Sequence, residues 1–361
     1  MESLLYLLAI SGGFTAGALF WHRKKFEKNV LIALAIVGPA VVLIGYGAVL
    51  FHNRVDTEIW NGEVTKKYSE HVSCEHSYSC NCRRDKDGRT TCDTCYEHNY
   101  DVDWKVENTA GDDIKIRRVD SQGVIEPPRF SSIQVGDPVA QTHHFINYVM
   151  GAKDSLFNTE SQKTLIAKYK SMLPEYPDNI YDYYKIRRVL TVGNVPMDDI
   201  HLNAWNQQLS LMLRPLGPRK QVNVIIVLTT VQDPNFANAL KAYWLGGKKN
   251  DVVVVIGTAN YPKVDWARVV SWTDNQTFKV QLADALQDKG TLDPVDTTAL
   301  IGGWVNRDFQ RKHMKDFNYL AWESTPSMAA CVIIAILSVF ATAGGIVLVL
   351  NKTPRRRRYR Y

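Results

Sequence analysis

Residues 30–51, VLIALAIVGPAVVLIGYGAVLF, run 22 positions without a charge. As a helix this stretch is long enough to cross a bilayer core of roughly 30 Å, where each backbone polar group has to be satisfied inside the segment. Pro39 and the glycines would disrupt a soluble helix but are common in membrane spans. A core helix of this length normally shows a polar stripe, and this one has none. Just upstream, His22, Arg23, Lys24, Lys25 and Lys28 are opposed only by Glu27. A short basic loop of this kind stays in the cytoplasm, so whatever follows Phe51 is expected on the other side.

Two further stretches complete the membrane reading. Residues 4–21 are apolar but lack the basic n-region of a signal peptide; a retained span with its N-terminus outside is preferred to a cleaved leader. Gly12, Gly13, Gly17 and Ala18 are candidates for its close helix contact. Residues 328–350, MAACVIIAILSVFATAGGIVLVL, are again uncharged and run into the tail NKTPRRRRYRY. Both basic flanks agree with one orientation: loop 22–29 and tail 351–361 inside, residues 52–327 outside. The net charge of +6 comes mostly from five arginines in the last seven residues. That basic tail suits anionic lipid beside a span, and no basic groove for nucleic acid stands out between the spans. The spans carry no acidic or basic residue to mark a transport pathway.

The exported region divides into a small β-rich module at 52–129, a mixed, largely helical connection at 130–219 and an α/β region at 220–327. In the first, residues 58–68, 96–106 and 114–116 read as strands. Between them lies the segment HVSCEHSYSCNCRRDKDGRTTCDTCYEH. Cys80-x-Cys82 and Cys92-x-x-Cys95 flank Asp87-Gly88, a favoured hairpin turn pair, so Cys80 is expected to face Cys95. Four thiolates at this spacing suit structural zinc, whereas an exported location suits disulfides; a reactive thiol is a third option. Cys74, His71, His76 and His98 stand close by. Five exported cysteines, an odd number, satisfy neither scheme alone.

Farther on, adjacent His143 and His144 point different ways and make a poor metal pair. Asp198 is placed to cap a helix over 198–213, closed by Pro215-Leu216-Gly217-Pro218. Apolar strands are expected at 222–228, 251–257 and 264–270. Helices are expected at 234–244, at 277–287 and over 293–319, the last broken near Gly302-Gly303. This order predicts helices packed on a mixed sheet, giving an α+β, membrane-anchored protein with three transmembrane helices.

The residues NVIIVLTTV, PNFANALKAYW and LGGKKNDVVVVIGT resemble the core of the TPM domain family, over 220–319. That family includes thylakoid-lumen phosphatase-like proteins, photosystem repair factors and a membrane-anchored receptor modulator. The resemblance implies a TPM-like α/β domain in an exported, anchored setting. Two positions depart from the family pattern. Ser271-Trp272-Thr273-Asp274-Asn275 replaces a glycine-rich loop, and Asn250-Asp251 replaces the usual Asn-Gly. The whole chain also resembles uncharacterised membrane proteins of large tailed phages, which would place it in a bacterial inner membrane or an infected host membrane.

The functional expectation is an interaction or assembly factor at the membrane, partnered by lipid and by membrane or exported proteins. No GxSxG, HExxH or phosphate loop is present. The alternative is a metal-dependent phosphatase of TPM type in which Asp233, Asp251 and Asp274 converge on calcium or another divalent ion.

Overall fold

The computed structural model describes residues 2–23, 26–151, 160–182, 185–322 and 325–352. Lys24 and Lys25 of the basic loop and the arginines of the tail lie outside these residues. The chain opens with helices α1 (Glu2–His22) and α2 (Lys28–His52), then strands β1 (Val55–Val72), β2 (Ser77–Arg84), β3 (Thr90–Tyr96), β4 (Asp101–Asn108) and β5 (Ile114–Ile116). Helix α3 (Pro128–Ser132), strand β6 (Pro138–Ile146), and helices α4 (Tyr148–Gly151) and α5 (Glu160–Tyr169) follow. Strands β7 (Ile180–Asp182), β8 (Lys185–Ile186) and β9 (Val189–Val192) lead to α6 (Asp199–Lys220), β10 (Asn223–Thr229), α7 (Asn235–Tyr243) and β11 (Asp251–Gly257). The chain ends with β12 (Trp266–Ser271), α8 (Gln276–Lys289), α9 (Pro294–Asp308), a 3-10 segment (Met314–Trp322) and α10 (Met328–Lys352).

Two compact units result, one drawing on Met1–Asp56, His144–Thr159 and His313–Tyr361, the other on Thr57–His143 and Glu160–Lys312. In the first, α1, α2 and α10 are each long and apolar enough to cross a membrane. They share a core of Leu7, Val42, Tyr46 and Ile334 at one end and Phe26, Leu34 and Ile346 at the other. Between these layers the contact is hydroxyl-lined, with Ser11, Thr15, Ser338 and Thr342 all buried. A Cβ on Gly38 would lie 2.7 Å from Ser11 Oγ and 2.8 Å from the Thr15 and Thr342 hydroxyls. Gly38 is therefore a close-approach glycine, as is Gly345 of α10, where a Cβ would lie 2.9 Å from Leu34 Cδ2. Gly12, Gly13 and Gly17 have nothing within 4 Å, contrary to expectation. The reason is helical phase: α1 turns the i, i+4 stripe Leu7, Ser11, Thr15 inward and carries those glycines on other faces.

The second unit has two four-stranded sheets. One, in the order β5-β4-β1-β6, pairs β1 with β4 antiparallel, from Val64 opposite Asn108 to Val72 opposite Asp101. Its core is Val64, Val106, Ile116, Phe130, Ile133 and Val139. Strand β6 comes from the segment read as a connection, so the β module draws its fourth strand from beyond residue 129. From its neck the antiparallel pair β2–β3 extends as an arm, exposed along nearly its whole length. Its turn runs from Asp85 to Arg89, with Gly88 at φ 79°, a conformation glycine adopts without strain.

The other sheet, in the order β12-β11-β10-β9, is parallel across β9, β10 and β11, with β12 antiparallel on β11. β10 and β11 are buried throughout, as expected for strands covered on both faces. Alternation then sorts their side chains. Val224, Ile226 and Leu228 pack with Trp205, Leu209, Phe278 and Ile301 of α6, α8 and α9. Ile225 and Val227 pack with Tyr169, Phe236 and Leu240 of α5 and α7.

Two helices depart from expectation. α6, capped by Asp198 accepting from the His201 amide, runs on through Pro215 and Pro218 to Lys220. Gly217 lets it lie against β1, since a Cβ there would fall 1.9 Å from the Asn61 carbonyl oxygen. α9 continues through Gly302-Gly303 and ends at Asp308. An added Cβ at Gly302 would sit 2.8 Å from Met212 of α6, so that glycine permits close helix packing rather than a break.

Candidate metal centre

The antiparallel β1–β4 and β2–β3 pairs are joined by two short irregular links, residues 73–76 and 97–100. The register brings the links side by side. Val72 is paired with Asp101 below them and Ser77 with Tyr96 above, while the Glu97 amide donates to the His76 carbonyl between. Cys74 and His76 come from one link, His98 from the other and Asp101 from the first position of β4. Their ligand atoms all lie within 4.8 Å of one another.

Cys74 Sγ is 3.9 Å from His76 Nδ1 and 3.7 Å from His98 Nδ1. Asp101 Oδ2 lies 3.5 Å from His76 Nδ1, and Asp101 Oδ1 lies 3.6 Å from His98 Nδ1. A tetrahedral ion with sulfur at 2.3 Å and nitrogen or oxygen near 2.0 Å spaces its ligands by about 3.5 Å for S···N and about 3.3 Å for N···O. The two imidazole planes are nearly perpendicular, at 85°. These gaps are too wide for good hydrogen bonds and suited to a shared cation.

The surroundings support the same chemistry. Asp101 is fully buried, yet its Oδ1 has no hydrogen-bond partner. Its Oδ2 accepts from the Glu75 amide at 2.9 Å and from Arg118 Nη1 at 3.0 Å. That amide, and then the guanidinium, hold the carboxyl below the usual carboxylate range in spite of its burial. Arg118 is itself braced by Asp103 and the Val102 carbonyl. The His76 amide donates to Cys74 Sγ at 3.4 Å. A Cys–His–Asp nucleophilic relay would need the thiol and the carboxylate on opposite ring nitrogens. Here both face the same Nδ1 of each histidine.

The four cysteines first considered for zinc are paired with one another. Cys80 and Cys95 stand 5.8 Å apart between Cα atoms, and Cys82 and Cys92 4.0 Å, both at disulfide bonding distance. This resolves the odd count: of the five cysteines between α2 and α10, two pairs consume four, and the fifth, Cys74, is the one left free. His71 stacks on Tyr100, and His143 stacks on Trp60 while contacting the Ala110 carbonyl.

Asp233, Asp251 and Asp274 do not form a calcium site; among the described residues the only metal-suited group is the Cys74 cluster. The strand directions explain why. Asp251 opens β11 opposite Asn223, whereas Asp233 follows the far end of parallel β10, a strand length of about 20 Å away. Asp233 is engaged by Tyr169 and Lys168, whose hydroxyl and ammonium hold its carboxyl well below the usual range. Asp274 pairs with Lys312 at 2.6 Å on the surface. The sequence signal for the actual cluster was Cys-x-His followed by His-x-x-Asp. Cys74, His76 and His98 were visible as neighbours, but Asp101 was read only as a polar position in a strand. Comparison with family models, characterised proteins and solved structures finds no match.

Proposed function

We propose that this chain is a multi-pass membrane protein, anchored by α1, α2 and α10, that acts outside the cytoplasm as an interaction or assembly factor and presents the β2–β3 arm to a membrane or exported protein. The observation that carries the reading is the arm itself. It contributes to none of the hydrophobic clusters of its unit, exposes Tyr78 and Tyr96 at 51% and 58%, and is cross-linked twice. An isolated two-stranded hairpin is marginal in water; two covalent links along one make a rigid surface that loses little entropy on binding. Paired cysteines also fit an oxidising compartment, in agreement with residues 52–327 being exported and residues 22–29 and 351–361 remaining inside. The α/β sheet with its β10–α7–β11 crossover supports a TPM-like domain behind the arm. The bilayer is the second partner, and a bacterial inner membrane or infected host membrane is the setting.

A photocrosslinking residue at Tyr78 or at Tyr96, in native membranes, is expected to capture the same protein from both positions. The exposed Val280 on α8 should not capture it. Crosslinks that are equal at all three sites, or absent from both tyrosines, sink the reading. Topology is tested alongside: a membrane-impermeant thiol reagent should label Asn53→Cys in intact cells, and Tyr361→Cys only after permeabilisation.

A further inference from the structure

We propose that Cys74, His76, His98 and Asp101 bind one zinc ion that locks the disulfide-linked arm to the β1–β4 sheet. The ligands span the joint where the strand ladder lapses: two from residues 73–76, one from 97–100 and one from the first residue of β4. An ion held there ties together both crossings of the neck, which otherwise share the one backbone hydrogen bond from Glu97 to His76. Zinc then supplies at the base of the arm the rigidity that the two cystines supply along it.

The donor set selects the metal. One thiolate and two imidazoles are too soft for magnesium or calcium, which take oxygen ligands in larger number. A blue-copper centre also uses two histidines and a cysteine, but with its fourth ligand long and weak. Here the carboxylate lies as close to the imidazole nitrogens as the sulfur does, giving four comparable ligands and a tetrahedron. With all four positions filled from the protein, the site has no open coordination position, the mark of structural rather than catalytic zinc. Arg118 acts as the positioning residue, fixing Asp101 through Oδ2 and leaving the unpartnered Oδ1 for the ion. Binding also removes the one free exported thiol from reach of two neighbouring cystines.

The test uses the full chain purified in detergent under non-reducing conditions, stripped with a chelator and reloaded with zinc alone. Expected is one zinc per chain by elemental analysis, falling at least tenfold in Cys74→Ala and in Asp101→Asn and unchanged in His71→Ala. Cobalt in place of zinc should give a tetrahedral d–d spectrum with a sulfur charge-transfer band. Because the ligand variants can misfold, the wild-type fold supplies a second readout in a Cys331→Ala background. Zinc should slow alkylation of Cys74 at least tenfold, and should lower hydrogen exchange at 73–76 and 97–100 without altering it in β10 or β11. Less than a tenth of an equivalent of zinc, full stoichiometry in Cys74→Ala, alkylation indifferent to zinc, or preferential loading with copper giving a blue chromophore would each overturn the assignment.

Discussion

Arg188→Ala is expected to lower the unfolding free energy by about 3–5 kcal/mol, through lost hydrogen bonds and a cavity that cannot fully collapse. The guanidinium is completely enclosed, and burial brings it down to about 9, so it remains charged at neutral pH. Among the described residues no carboxylate lies against it. Its partners are the Asn61 side-chain carbonyl from β1, Asn223 at 3.2 Å from β10 and Ser210 at 3.1 Å from α6. One side chain thus joins the two sheets and a helix of the same unit. Alanine leaves those acceptors facing an apolar void. Arg188→Met, which refills most of the volume, is expected to recover roughly half of the loss. Urea unfolding followed by tryptophan fluorescence measures both, with the midpoint moving and the slope unchanged. A methionine variant as stable as the parent would mean that the buried charge contributes nothing net.

A second large effect attaches to pH. Asp251, fully buried at the start of β11, is pushed up to about 6 by its burial, against the Lys248 amide, the Asn223 side chain and the Tyr176 hydroxyl that donate to it. Between its ordinary 3.8 and about 6 the folded chain holds a proton that the unfolded chain has released. Stability therefore falls as pH rises through that window, by about 3 kcal/mol for this group. Asp251→Asn removes the step. Relative to the parent, the variant should gain about 3 kcal/mol between pH 3.5 and pH 7, a difference in which the other carboxylates cancel. Paired denaturation curves at the two pH values measure it; a constant gap would show that the carboxyl ionises as freely in the fold as in the open chain.

Much of this architecture was legible because it depends on local pattern. Uninterrupted apolar runs announced α1, α2 and α10, and the parallel strands β10 and β11 are covered on both faces and so lack alternation. Asp87-Gly88 placed the arm's turn; counting from it put Cys80 directly opposite Cys95, whereas the register sets Cys80 opposite Asp93 and Cys95 opposite Tyr78, so the Cys80–Cys95 pair forms on the diagonal. What stayed hidden depends on distant partners. Asp101 and Asp103 lie unremarked in the strand expected over 96–106; both are buried, with Arg118, outside the strand, folded back onto them. Gly302 looked like a helix break because its neighbour Met212 lies far away along the chain. The carboxylates of 233, 251 and 274 looked like a set because sequence order conceals that parallel strands send their two ends to opposite sides of a sheet.

The bond from the Asn61 side chain to the Val222 carbonyl spans 161 residues of chain, and it imposes a timetable on biogenesis. At a synthesis rate of 5–20 residues per second, β1 emerges roughly 8–32 s before α6 and β10 exist to receive it. Throughout that interval Asn61 and Glu58, both buried in the finished fold, are wet. Asp101–Asn108 pairs with the outer half of β1 and Pro138–Ile146 takes its other neighbouring place within the first half of the chain, leaving the side chains of Asn61 and Glu58, rather than the strand's edges, as the part a chaperone would have to shield. The nascent chain is most vulnerable there, near its beginning, and is relieved only when its second half has been made.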